Sequence, residues 1–178
     1  MPFVLPADPV SGQVAPVSWG DDVRAALNYL ANPPACDLTH STTASIGNSA
    51  WTPQPFDTEN EDPSGLHSNV TNNSRITIVD TGRYVFVGGI VYASNATGAR
   101  GLGFRRNGSG VGAGPTHGGL IIPAASGVGT YVAVSRSVKM TAGQWMELIC
   151  FQTSGGALNS VGPTDGMPFF GAVWVGLG

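Results

Sequence analysis

Charge is scarce in this chain. Asp, Glu, Lys and Arg make up 11% of its 178 residues, less than half of the ~25% usual in globular domains. Lysine occurs once, as Lys139, and the formal net charge is −3. No basic stripe exists to neutralise a phosphate backbone, so no nucleic acid partner is expected. Cysteine occurs twice, as Cys36 and Cys150. Two thiols are too few for a disulfide scaffold, and sequence alone does not decide whether they meet. No unbroken apolar run approaches the ~20 residues of a membrane span, so no membrane partner is expected either. The opening MPFVLPADPV has neither a basic n-region nor an uninterrupted apolar core. No signal peptide is therefore read, and synthesis in a cytoplasm is expected. The sequons at Asn69, Asn72, Asn95 and Asn107 are then turn-rich polar composition rather than glycan acceptors.

What the chain has in abundance is turn chemistry and apolar residues: 26 Gly, 13 Pro and a hydrophobic content of 42%. An interior Gly costs a helix ~1 kcal/mol and a Pro ~3 relative to Ala, so this punctuation suits short strands rather than a bundle. The fold class expected is all-β, an antiparallel β-sandwich or jelly roll. Residues 1–35 read as a separate N-terminal arm and helix, and residues 36–178 as the head. Pro2, Pro6, Pro9 and Pro16 forbid regular helix in the arm. Ser18 can then cap a helix, with Asp21 and Asp22 near its positive end. Trp19, Val23, Ala26, Leu27 and Leu30 form an apolar stripe, and Asn32-Pro33-Pro34 ends the run. So short a helix needs a surface to cover the stripe, which makes Trp19, Val23, Leu27 and Leu30 candidate docking residues.

Beyond Cys36 the best strands are 74–78, 83–92, 99–105, 129–138, 144–151 and 169–175, rich in Val, Ile and aromatics. Several are apolar on both faces. In 84–92, Val85, Val87 and Val91 share one face and Tyr84, Phe86, Ile90 and Tyr92 the other. Strand 169–175 behaves likewise, and in 145–151 only Glu147 interrupts. A lone antiparallel sandwich shows water one face of each sheet, so two-sided strands imply a cover, most simply a symmetric oligomer. Tyr84, Phe86, Ile90, Tyr92, Phe169 and Trp174 are the candidates for core or trimer interface, with the face of each left open.

Catalytic and metal chemistry find little footing. Residues 57–62 hold four of the eleven carboxylates. An EF-hand would need Gly at Asp62 and Glu at Ser68, so a solvated acidic loop is the simpler reading, with calcium left open. His40, His67 and His117 lie far apart, without ligand spacing for zinc. The glycine run 108–114 lacks the Lys-Ser/Thr of a phosphate loop. No Gly-x-Ser-x-Gly elbow or carboxylate pair stands out. No catalytic residue, metal or cofactor is assigned. Arg100, Arg105 and Arg106 face solvent or the acids of a neighbouring subunit. Trp51, Trp145 and Trp174 go to core or interface in preference to a sugar platform.

The order of short motifs resembles a known family. Phe56-Asp57, Ser74-Arg75-Ile76-Thr77-Ile78, Thr81-Gly82-Arg83-Tyr84-Val85-Phe86, Phe104-Arg105-Arg106-Asn107-Gly108, Val138 to Trp145 and Phe169-Phe170-Gly171 follow one another as in the trimeric jelly-roll heads of the complement and tumour necrosis factor superfamily. Ser18 to Arg24 together with Leu27 to Pro34 resembles a segment of small virion proteins of tailed bacteriophages. The two resemblances imply a non-enzymatic homotrimer on a phage particle, made in the host cytoplasm. Its partners would be itself and other virion proteins, in a minor tail, tail-tip or capsid-decoration role. The alternative is a module for host attachment that binds a receptor or surface glycan through loops such as 106–119.

Overall fold

Twelve short strands and a single helix carry the described part of the chain. The computed structural model describes residues 4, 6–8, 10–108, 113–162 and 168–178. The helix α1 (Val17–Ala31) comes first. Then follow β1 (Ala35–Thr39), β2 (Ser45–Ile46), β3 (Thr52–Pro53), β4 (Thr58–Glu61), β5 (Arg75–Thr77) and β6 (Gly82–Tyr92). The rest are β7 (Ala99–Arg106), β8 (Gly119–Pro123), β9 (Thr130–Met140), β10 (Trp145–Gln152), β11 (Leu158–Asn159) and β12 (Phe169–Gly176). One sheet runs β4-β1-β12-β6-β9 and the other β3-β10-β7-β8, with β5 also along β10 and a small β11-β2 pair beside them. Every strand pairing is antiparallel. The expected all-β sandwich is what forms.

The core lies between the two sheets. Tyr84, Phe86, Ile90 and Tyr92 of β6 and Phe170 and Trp174 of β12 point into it, as do Phe104 of β7 and Met146 and Leu148 of β10. Phe86, Phe104 and Phe170 form a mutual cluster with ring centroids 6.0–6.2 Å apart, and Phe56 extends it at 5.6 Å from Phe170. Such pairs each add about 0.5–1.5 kcal/mol to the burial of their area. Gly88 interrupts the aromatic face of β6, because a Cβ there would stand 2.6 Å from Leu148 Cδ1 of the facing sheet. Its bare backbone is what lets Leu148 seat between the layers.

Several expectations change. The six strands read from sequence are present with ends shifted by a few residues, but β1, β3, β4 and β11 carry no Val, Ile or aromatic residue to mark them, and β2 and the Gly- and Pro-bounded β8 are short runs that likewise go unrecognised. The acidic stretch 57–62 is not a loop: Thr58–Glu61 is an edge strand against β1, and charged side chains suit an exposed edge. The helix begins at Val17 after Pro16, with no side-chain cap and no acid in its first turn. Ser18 is therefore not the cap, and Asp21 and Asp22 fall too far along for the helix dipole. Asp21 instead accepts a 3.0 Å ion-paired hydrogen bond from Arg24.

Candidate interaction face

Strand β10 of the second sheet is covered on its outer side, whereas Ile121 of the edge strand β8 is 55% exposed. On β10, Met146, Leu148 and Cys150 point inward, so Trp145, Glu147, Ile149 and Phe151 point outward, yet Ile149 is fully buried. Trp51 stacks on Phe151 at a centroid distance of 5.1 Å, and the Arg75 guanidinium lies 4.5 Å over the Trp145 ring. The two-sidedness of this strand is thus satisfied within one chain.

The first sheet has no such cover. Its outward rows read Ala35, Val173, Val85, Ser137, then Asp37, Gly171, Val87, Ser135, then Thr39, Phe169, Gly89, Ala133. Val91 opposite Tyr131 completes the face. Val87, Tyr131, Val173 and Val175 are 37–52% exposed. Arg83 and Lys139 stand opposite each other at one end of it, while Asp37 shares the row of Gly171 and Val87 and stands opposite Glu61 of the edge strand β4. Its exposed valines and Tyr131 make it the candidate interaction face of the chain, since clustered exposed apolar side chains favour contacts. Of the sequence candidates, Tyr84, Phe86, Ile90, Tyr92 and Trp174 lie in the core, and Phe169 alone turns to the outward face. The valines opposite them in the alternation are the residues the site is built from.

Helix α1 meets the head at one end of this sheet. Pro34 carbonyl accepts the Trp174 N–H at 2.9 Å. The Tyr29 ring stands edge-on to Trp174 at 5.0 Å, and its hydroxyl donates to Asp80 Oδ2 at 3.0 Å. Burial and the Asp80 carboxylate together push the Tyr29 hydroxyl pKa well up. Tyr84 donates to the Asp80 carbonyl at 2.8 Å, so two tyrosines grip one turn. No residue of the helix is buried. Trp19, Val23, Ala26 and Tyr29 are half-buried, whereas Leu27 and Leu30 are 60% and 52% exposed. The docking set read from sequence therefore splits, because Tyr29 rather than Leu27 or Leu30 makes the contact with the head.

The buried charges are structural. Glu147 is 3% exposed. Its Oε2 accepts from Arg105 Nε and Nη2 at 3.1 and 3.0 Å, and its Oε1 from Ser74 Oγ at 3.1 Å and Arg75 Nε at 3.4 Å. Arg100 is wholly buried and donates to the carbonyls of Asn95, Thr97 and Ala99. Both arginines are thus consumed inside the chain, which corrects the expectation that they face solvent or a neighbouring subunit. Arg106 is half-buried at the strand end. The only sequence signal for this network was Glu147 breaking an apolar strand.

The remaining candidates do not converge. Asp57 accepts from the Ser41 N–H at 2.8 Å and Oγ at 2.7 Å and from Thr58 Oγ1, and His40 Nδ1 lies 3.3 Å away. Partial burial works to raise its pKa, but those hydrogen bonds and His40 outweigh it and hold the carboxyl below its ordinary value. Asp62 caps the backbone N–H groups of Leu66 and His67. Among the described residues no group of three or more His, Cys, Asp or Glu is gathered to hold a metal. His67 donates through Nδ1 to the Arg75 carbonyl, and His117 Nδ1 shares a hydrogen bond with Thr116 Oγ1. Cys36 and Cys150 are both free and buried, and burial pushes the Cys150 thiol up to about 12. Trp174 is core, while Trp51 and Trp145 are half-buried. Of the glycine run 108–114, residues 109–112 lie outside the described residues.

This architecture has solved counterparts. Murine APRIL at pH 5.0 superposes with a TM-score of 0.59 at 14% identity, over 80% of this chain and 98% of that one. The globular domain of zebrafish complement 1qA gives 0.55 at 12% identity, over 80% and 97%. Eiger TNF from S. frugiperda gives 0.55 at 14%, over 80% and 93%. The fold is the tumour necrosis factor and complement 1q jelly roll. Identities this low establish the fold alone, and none of these three counterparts comes from a bacteriophage. No protein-family model matches the sequence, and no curated protein matches it.

Proposed function

We propose that the chain is a non-enzymatic structural protein that works as a homotrimer on a tailed-bacteriophage particle, as a minor tail, tail-tip or capsid-decoration component. The observation that carries self-association is the apolar outer face of the first sheet, where Val87 and Val173 are 40% and 37% exposed beside half-buried Val91 and Phe169 and exposed Val85. The resemblance to trimeric jelly-roll heads supports three copies. The resemblance of residues 18–34 to small phage virion proteins supports the particle and gives the N-terminal arm and helix the role of attachment. Sedimentation at micromolar concentration should give three times 18.2 kDa. Val173→Asp should dissociate the assembly, because it places a carboxylate where water is excluded. A stable monomer of the natural chain would overturn the reading. Phage carrying a gene deleted for residues 1–34 should yield particles that lack the protein by mass spectrometry, and normal incorporation would show that the head docks by itself.

A second reading, host-glycan binding, draws on Trp51. Its indole lines an open cleft of about 240 Å³ with Pro115, Gly118, Gly119 and Ile121, beside the 106–119 loop, and an aromatic wall of this kind suits a sugar ring. Soaking with host cell-wall glycans should quench Trp fluorescence in the natural chain and not in Trp51→Ala if this reading holds.

A further inference from the structure

Four apolar residues of α1 follow the spacing of a helix that packs on copies of itself. Trp19, Val23, Ala26 and Leu30 are separated by four, three and four residues, the a/d repeat of a knobs-into-holes seam. At 3.6 residues per turn they fall in one narrow stripe, about a quarter-turn from Tyr29 and with Leu27 at its margin. No charge lies in that stripe. Arg24 and Asp21 pair with each other on another side of the helix, and Asp22 lies towards Tyr29, so like helices can approach without repulsion.

The helix is also held in place. Tyr29 locks its last turn to Trp174 and Asp80, and three residues separate Ala31 from β1. Ala35, the first residue of β1, is paired with Val173 of the uncovered face. Copies that meet across that face would therefore carry the C-terminal ends of their helices close to the shared surface. The cleft between the described residues of the arm and the helix is lined on the helix side by Ser18, Trp19 and Asp22, near its N-terminal end.

We infer that α1 associates in parallel with the α1 helices of the other copies along Trp19, Val23, Ala26 and Leu30, which extends the trimer beyond the heads and leaves the arm to meet the particle. This rests on the self-association proposed above. The test is oxidation of full-length Ala26→Cys by oxidised glutathione, with Arg24→Cys as control, because the native Cys36 and Cys150 are buried and give no background. Disulfide-linked dimers should form at least tenfold faster in Ala26→Cys than in Arg24→Cys, within a species that sediments as a trimer. A trimer in which the two variants crosslink at equal rates, or in which neither does, overturns the helix seam and leaves head trimerisation standing. A monomer in sedimentation overturns both.

Discussion

Glu147 shows how a residue that breaks a pattern can matter more than those that keep it. Its carboxylate is buried with four hydrogen bonds and two guanidinium partners, so removing one partner strands a charge away from water. Arg105→Met should destabilise the fold by about 3–5 kcal/mol, read as a lowered urea midpoint. The double variant with Glu147→Leu should recover much of that loss, because apolar residues of similar volume replace an ion pair well. Asp57 gives a prediction in pH. Its folded pKa is depressed, so its contribution is complete above the ordinary ~3.9 of a free Asp and fades as pH falls through the lower folded value. The urea midpoints of the natural chain and Asp57→Asn should differ at pH 5 and converge towards pH 3. Sequence displayed both acids, but neither environment. The partners of Glu147 lie 42 to 73 positions away in the chain, a closeness only tertiary folding creates.

At the scale of elements, the legible strands were those whose composition carries β preference by itself. β6 and β12 announced themselves through Val, Phe and Tyr, and the sorting of β6 into a valine face and an aromatic face is the sorting the sheets adopt. β4 was hidden because Thr-Glu-Asn-Glu is an edge strand chosen for solubility. The helix was legible in extent, since Pro16 and Pro33 bound it, but its contact with the head was not: Tyr29 sits outside the apolar stripe and finds Trp174 only when β12 is in place. Gly88 is the element-scale test. Gly88→Val should force Leu148 from its seat and separate the layers, at a cost of about 1–3 kcal/mol, measured as a fall in the thermal midpoint. Gly65→Ala, at a turn where a Cβ meets nothing within 4 Å but φ is +64°, should cost less than Gly88→Val.

For the whole molecule, the sandwich was legible because glycine, proline and two-sided strands leave few other solutions. Two-sidedness alone did not tell which sheet needs a partner. β10 finds its cover in Trp51, Arg75 and neighbouring segments of its own chain, and β6 and β12 do not. A fold whose apolar face is completed by other copies has a stability tied to concentration. The thermal midpoint should therefore rise between 0.5 and 50 μM protein, a range on the order of a hundredfold, whereas a self-sufficient monomer would show one midpoint throughout.

The position of β12 has a consequence for how copies are made. It lies between β1 and β6 in the five-stranded sheet, although it follows every other described strand along the chain. Until residues 169–176 emerge, β1 has no neighbour on that side, Trp174 is not there to receive Tyr29, and the row that holds Val173 does not exist. A product of premature termination thus lacks the middle of the surface by which copies would recognise one another. A chain cut short before residues 169–176 should therefore fail to join the proposed assembly.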